Sequence, residues 1–505
     1  MLNRKIYIYV VFFTILSIFF TLPIKGHAVP AAPVLHTLSQ PDGAKFEARQ
    51  WGDEWLNGWE TSDGYSIVFD EDLGKWAYAA NDTDGSLRSS SRVVGADDPP
   101  LDIRHLRPAR QNISANLSEE TLGEGIQNVV PPTGTANVPI ILINFNNTAT
   151  SYTTANFNTL LFGTGNYSMK DYYQEVSYGA FSVSAGPGGV VGWYTASNTH
   201  DYYGYANGFL RAAALAREAV VAADNAGFNF APYDQDGDCY VDVVNIVHQG
   251  NGTEASGNVN DIWSHSWSLS STYTTNDPCP AGGFIRVSDY VIQPETLYGG
   301  MQTMGVFAHE YGHALGLPDL YDTDGSSEGI GDWSLMAGGS WNQVTRPGDR
   351  PAHMDAWSKY YMGWVTPTQV AGTLTNEPIV QASASPDVYK LLTGTPASGE
   401  YFLVENRQKT SFDAGLPGPG LLIWHIDGAA ATNNYECYPG GPSCASGHYK
   451  VKLVQADNLW ELEKNLNRGN TGDPYPGSTN NLSFTSASSP NSNLRLLKKT
   501  GIKFA

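Results

Sequence analysis

The sequence predicts an α+β fold in three territories: a β-rich N-terminal part, a central part where strands and helices alternate, and a β-rich C-terminal part. Three observations lead there. Turn signals such as Pro41-Asp42-Gly43, Asp63-Gly64 and Asp84-Gly85 cut residues 30–110 into short runs. From Val138 to about Val365, apolar runs of buried-strand type alternate with stretches of helical spacing. Beyond Val365 helical signals thin out and turns dominate. A chain of 505 residues allows about two to four domains and a large buried core.

Taken in order, Arg4 and Lys5 precede an apolar run from Ile6 to Leu22, followed by Pro23, Lys25 and Gly26-His27-Ala28. A basic start, an apolar middle and small residues at a cut point make a secretory signal peptide over 1–28, with cleavage after Ala28 and a destination outside the cell. The alternative is an uncleaved membrane anchor, since the run is close to the lower limit of a spanning helix. No stable anchor is expected once the segment is removed. Tyr65-Ser66-Ile67-Val68-Phe69 and Lys75-Trp76-Ala77-Tyr78 have the aromatic and β-branched content of small antiparallel sheets. Arg104, Arg107 and Arg110 then open a polar stretch that runs through Gly134. It reads equally as an exposed processing site and as an ordinary basic linker.

In the central territory Val138 to Phe145 and Val241 to Val247 read as buried strands. Ser168 to Ser177, Leu210 to Ala226 and Thr303 to Leu315 read as helices. Tyr401 to Glu405 and Gly420 to Ile426 are strands of the C-terminal territory. Only 16% of residues are charged, while Gly (53), Tyr (28) and Trp (13) abound, as in a loop-rich, aromatic-packed protein. The net charge of −21 repels phosphate backbones and excludes nucleic acid as a partner. Oligomeric state is not encoded in any of these features.

Chemistry concentrates in His309-Glu310-Tyr311-Gly312-His313-Ala314-Leu315-Gly316-Leu317-Pro318-Asp319. On a helix His309 and His313 lie one turn apart on one face, so both imidazoles reach a single cation. Glu310 sits beside them, placed to work on a water that the metal activates. Zinc in a catalytic site takes three protein ligands and keeps an open position. Gly316 permits a left-handed cap, Pro318 discourages further helix, and Asp319 can be carried back to the metal. Asp322, Asp324 and Glu328 are nearby competitors for that third place. Chance would supply about 0.01 His-Glu-x-x-His strings in such a chain.

A second cluster, Asp234-Gln235-Asp236-Gly237-Asp238-Cys239-Tyr240-Val241-Asp242, puts carboxylates on alternate residues of a turn, suited to calcium. Asp234, Asp236, Asp238 and Asp242 are the candidate ligands. Cys239 stands where an EF-hand needs Gly, and Asn245 where it needs Glu, so a calcium loop is expected rather than a helix-loop-helix. A solvated acidic turn is the alternative. Four Cys allow three pairings; proximity favours Cys239 with Cys279 and Cys437 with Cys444. His265, His353 and His425 are candidates for the cleft, although lone His residues are more often structural.

The extended motif, with Asp in the third ligand position, resembles the M6 family of secreted metallopeptidases typified by immune inhibitor A. The resemblance extends to Asp171-Tyr172-Tyr173-Gln174-Glu175-Val176-Ser177-Tyr178-Gly179, to Trp333 through Trp341 with Met336 in the place of a Met-turn, and to Glu405-Asn406-Arg407 with Gly420 through Asp427. It implies a zincin- or metzincin-like catalytic domain with an active-site helix, one catalytic zinc, structural calcium, a zymogen, and protein or peptide substrates. The expected division is a signal peptide at 1–28, a propeptide at 29–125, a catalytic domain at 126–365 and a β-rich region at 366–505. The competing function is a calcium-stabilised secreted or surface binding protein with a vestigial zinc site. Intact Glu310 argues against it, because binding alone needs no proton shuttle.

Overall fold

The computed structural model describes residues 26–100, 104–108, 129–392, 399–444, 447–494 and 503–504. The apolar run from Ile6 to Leu22, Arg110 and most of the polar stretch after it lie outside the described residues. Strand β1 (His27–Ala28) comes first and stands apart from the N-terminal meander. The meander has six antiparallel strands in sequence order: β2 (His36–Ser39), β3 (Lys45–Gly52), β4 (Asn57–Thr61), β5 (Ser66–Asp70), β6 (Lys75–Asn81) and β7 (Leu87–Val93). Its own core is small, with Ala48, Ile67, Tyr78 and Val94 buried among partly covered aromatics.

The central territory contains β8 (Gly134–Asn137), β9 (Ile140–Asn144), β10 (Phe181–Ser184), β11 (Val190–Thr195), β12 (Val244–Asn251), β13 (His265–Pro278), β14 (Phe284–Leu297) and β15 (Gly300–Met301). Its helices are α1 (Thr154–Phe162), α2 (Met169–Val176), α3 (His200–Tyr203), α4 (Phe209–Asn225), α5 (Thr253–Ser256), α6 (Met304–Ala314) and α7 (Ala356–Tyr361). The main sheet runs β1-β13-β14-β12-β9-β11, with β8 and β10 paired separately. β14, β12, β9 and β11 are parallel, and β13 joins antiparallel.

Period-two alternation explains why helices cover both faces of this sheet. In β9, Ile140 and Leu142 enter the core shared with α2 and α6, whereas Ile141 and Ile143 enter the one shared with α4. Helix α2 begins in a capping box, Ser168 receiving the Asp171 amide while the Asp171 carboxylate receives that of Ser168; such a cap stabilises by about 1 kcal/mol. The buried Tyr173 hydroxyl donates to Ala308 O at 2.7 Å and so fixes α2 against α6.

A five-stranded sheet follows, in the order β16 (Thr368–Gln369), β17 (Val388–Leu391), β18 (Glu400–Arg407), β19 (Gly420–Asp427) and β20 (Val451–Leu453). Leu403, Leu422 and Trp424 extend from it into the core that also holds Phe307 and Tyr311 of α6. The whole is mixed α+β with more strand than helix. Both disulfides, Cys239–Cys279 and Cys437–Cys444, are those favoured by proximity. Among the described residues no helix is long and apolar enough to cross a membrane.

One expectation needs correcting. Arg107 is not part of an exposed basic stretch: its guanidinium stacks 4.0 Å from the Trp51 ring centroid and donates to Glu60 Oε2 at 3.1 Å and to Gly325 O at 2.9 Å. Its charge is spent on tying the meander to the loop after α6.

Candidate metal centre and cleft

Helix α6 is buried along its whole length, and it ends where Gly316 takes φ +87°. His309 Nδ1 lies 2.7 Å from Leu335 O, and His313 Nδ1 lies 2.8 Å from Leu317 O. A carbonyl can only accept, so each Nδ1 carries the proton and each Nε2 presents a lone pair. The two Nε2 atoms are 3.2 Å apart, and each is 3.3 Å from Asp319 Oδ1. A tetrahedral cation bonded at about 2.0–2.1 Å spaces its donors about 3.3–3.4 Å apart, so this triangle has the edge length of a zinc site. Asp319 Oδ1 is buried and makes no hydrogen bond, so it is free to serve as a donor. Two neutral imidazoles and one carboxylate suit zinc chemically as well.

Burial works against ionisation of Asp319, but His313 and the other imidazoles around it hold its carboxyl well below the usual range. Glu310, one residue from His309, behaves oppositely: burial, then the Asp319 charge, pushes its carboxyl well above the usual range. Its Oε1 accepts a hydrogen bond and its Oε2 has none. Met336 packs beneath the site, with a β-carbon built on Gly312 falling 2.5 Å from its sulfur. Gly at 312 thus lets the methionine approach the helix between the two histidines. Asp322 is engaged elsewhere, its Oδ2 receiving the Ser326 and Ser327 hydroxyls at 2.9 and 2.7 Å.

The cleft contains the chain's own N-terminal segment, which sequence reasoning did not place. β1 pairs antiparallel with the edge strand β13, Ala28 opposite His265. Ala28 O accepts from Tyr321 Oη at 2.7 Å and lies 3.3 Å from His309 Nε2. The Val29 amide donates to Glu310 Oε1 at 2.8 Å. His27 Nδ1 is 2.9 Å from Asp319 Oδ2, and its ring stacks on His313 with centroids 4.5 Å apart. Asp53 and Glu54, from the turn between β3 and β4, are buried near the same centre; Asp53 Oδ2 is 3.1 Å from Tyr321 Oη. Tyr321 had one legible signal, its position two residues beyond Asp319.

The acidic turn is partly assembled. Carboxylate oxygens of Asp234, Asp236 and Asp242 gather within 4.8 Å of one another, while Asp238 is turned to its own loop, its Oδ1 receiving the Tyr240 amide at 2.7 Å. Burial, together with the charges of Asp236, Asp234 and Asp238, lifts Asp242 to about 6. Cys239 adopts φ +73°, the left-handed conformation that Gly would take there. The lone histidines have structural partners: His265 bonds Trp263 O and Tyr290 Oη, His353 bonds Glu175, and His425 bonds Glu400.

Comparison with known proteins agrees with this geometry. Residues 143–365 match the family model described as the immune inhibitor A peptidase M6 catalytic domain. The pre-pro-metalloprotease PrtV of Vibrio cholerae serotype O1 is 34% identical over 248 residues, covering 42% of this chain and 26% of PrtV. Immune inhibitor A of Bacillus thuringiensis subsp. alesti is 36% identical over 203 residues, covering 34% of this chain and 28% of that protein. The chain thus spans about a quarter of the length of these curated relatives. The motif, the donor triangle and the family match fall on the same segment, and residues 143–365 are similar to the catalytic domain of the M6 peptidase family.

Proposed function

We propose that the protein is a secreted zinc-dependent endopeptidase made as a zymogen, and that residues 29–125 act as its propeptide. The observation that carries the reading is the donor triangle of His309 Nε2, His313 Nε2 and Asp319 Oδ1, with the Glu310 carboxylate beside it on the same helix. The Val29 nitrogen lies on Glu310 Oε1 at 2.8 Å, so the first residue of the proposed propeptide stands against the same centre, which supports latency. Zinc held by His309, His313 and Asp319 supplies, when bound, a Lewis acid for the scissile carbonyl and an acidified water. Glu310 takes the proton of the attacking water on the oxygen that is free, and delivers it to the leaving nitrogen. Tyr321 donates to the carbonyl oxygen as negative charge develops there. The Asp234, Asp236, Asp238 and Asp242 loop holds calcium in this reading, relieving repulsion among clustered carboxylates.

The test uses an unstructured protein substrate, after propeptide removal, with and without a zinc chelator and beside Glu310→Ala. Hydrolysis is expected to vanish on chelation and to fall about 10²–10⁴-fold in the variant. If Glu310→Ala matches the native protein, the peptidase reading is lost.

A further inference from the structure

The N-terminal meander has a core of its own and a separate face that meets the central territory. The core, Ala48, Ile67, Tyr78 and Val94 with partly covered Phe46 and Trp76, is drawn from the meander alone. The docking face has two parts. One is the turn between β3 and β4, where Trp55 packs against the core shared with α4, its ring centroid 4.8 Å from that of Trp267 on β13. In the same turn Asn57 Nδ2 donates to Tyr205 Oη at 2.8 Å, and Asp53 Oδ2 receives the Tyr321 hydroxyl at 3.1 Å. The other part is Arg107, stacked on Trp51 and donating to Gly325 O at 2.9 Å. None of these contacts uses a residue before Val29, so loss of the signal peptide leaves them in place.

The chain passes from this unit to the central territory through residues 109–128, which lie outside the described residues. A cut there breaks none of the contacts just named. It removes the link alone, which supplies an effective concentration of about millimolar for a short connection. What remains is an interface anchored by Trp and Arg, the residue types that carry most of the binding energy where proteins meet. Its position bears on activity as well. Asp53 holds the hydroxyl of Tyr321, and Trp55 lies on β13, which forms the edge of the main sheet once β1 has gone. Resting on the peptidase reading above, we infer that the prosegment, once cut from the chain, stays docked on the central territory and blocks the cleft as a separate inhibitor. Activation then needs the prosegment to be displaced or destroyed, and the cut alone is not enough.

The experiment inserts the recognition sequence of a site-specific protease between Ser118 and Glu119 of the zinc-loaded full chain and cuts it there. Both fragments are followed through a sizing column under native conditions, and an unstructured protein serves as substrate with and without a zinc chelator. The cut wild-type chain is expected to elute as one species and to show no hydrolysis. Trp55→Ala removes an anchor that is not part of the meander core, and is expected to weaken retention of the fragment by about 30-fold. The variant then sheds its fragment on the column, and chelator-sensitive hydrolysis appears. Separation of the wild-type fragments overturns the inference, as does full hydrolysis by the cut wild-type chain. Co-elution of the wild-type fragments, with no chelator-sensitive hydrolysis from the variant after its fragment is lost, overturns the peptidase reading and leaves the docking intact. The wild-type elution decides the docking even if Trp55→Ala fails to fold.

Discussion

Two buried groups of charges lie in this molecule, and they are built on opposite principles. In one, Lys359 meets Glu405 at 2.8 Å, and Arg407 meets Asp413 at 2.6 Å and Glu405 at 3.3 Å, all four side chains fully buried. Two cations balance two anions. Burial works against ionisation of Glu405, but Lys359 and Arg407 outweigh it and keep its carboxyl below the usual range. Arg407 also donates to Trp333 O and His353 O, so the C-terminal sheet is bonded to the segments that follow α6. In the other group Asp53, Glu54, Glu310 and Asp319 are buried together, and among the described residues their ion-pair partners are imidazoles alone, His27, His309 and His313, all on Asp319. Burial pushes Asp53 up to about 7 and Glu54 well above the usual range. A balanced cluster is complete as structure. An unbalanced one is complete only with something added, and here the geometry of the donors suits a divalent cation.

The comparison can be broken most severely at its balanced member. Arg407→Ala leaves Asp413 and part of Glu405 buried without a counter-charge, at a cost of about 3–5 kcal/mol. Denaturant unfolding would show this as a lower midpoint. Glu310→Gln, in the other cluster, is expected to leave the midpoint unchanged or raise it, since it removes an unfavourable buried charge. Should both variants destabilise alike, the distinction between the clusters falls.

A milder test uses acid. Burial opposes ionisation of Glu60, but the His105 hydrogen bond and the Arg107 and Arg49 charges overcome it and hold the group at about 2, against an ordinary 4.5. Its folded value is depressed, so its contribution is present above about pH 4.5 and is lost as pH falls towards 2. The lost amount is about 3 kcal/mol. Protection of the β4 amides, taken against the intrinsic exchange rate at each pH, should therefore fall across that window, and Glu60→Gln should make that protection nearly independent of pH. Because Glu60 holds Arg107, and Arg107 holds Gly325 O, the same window should loosen the meander from the central territory.

The smallest expected effect concerns the acidic turn. Calcium in excess should raise the thermal midpoint of native protein by about 2–4 °C, the shift that 1 kcal/mol gives in a domain of this size. Asp242→Asn should respond less. No difference between calcium-loaded and chelated protein would return the turn to an ordinary solvated loop.

What the sequence disclosed and what it concealed follow from how local each determinant is. The His309 to Asp319 motif was legible because one helical turn and one Gly-directed cap place all of its atoms. Helices α2 and α4 and strands β9, β18 and β19 fell close to the expected limits, being strongly patterned. The occupant of the cleft was illegible because Ala28 and Val29 act through a carbonyl and an amide, which every residue possesses. Arg107 was misjudged because burial of a guanidinium depends on Trp51 and Glu60, some fifty residues away in sequence. Strands β13 and β14 were missed: β13 is rich in Ser and Thr, and in β14 charged and polar residues interrupt the apolar ones, so neither shows the compact apolar run that marks β9.

The two carbonyls that orient the paired imidazoles belong to Leu317 and Leu335, both downstream of the helix that bears the histidines. Helix α6 alone therefore cannot aim its own side chains. The two rings take their mutual orientation only once the segment from Leu317 to Leu335 has folded back against the helix, so a change in that segment can turn them without touching either one.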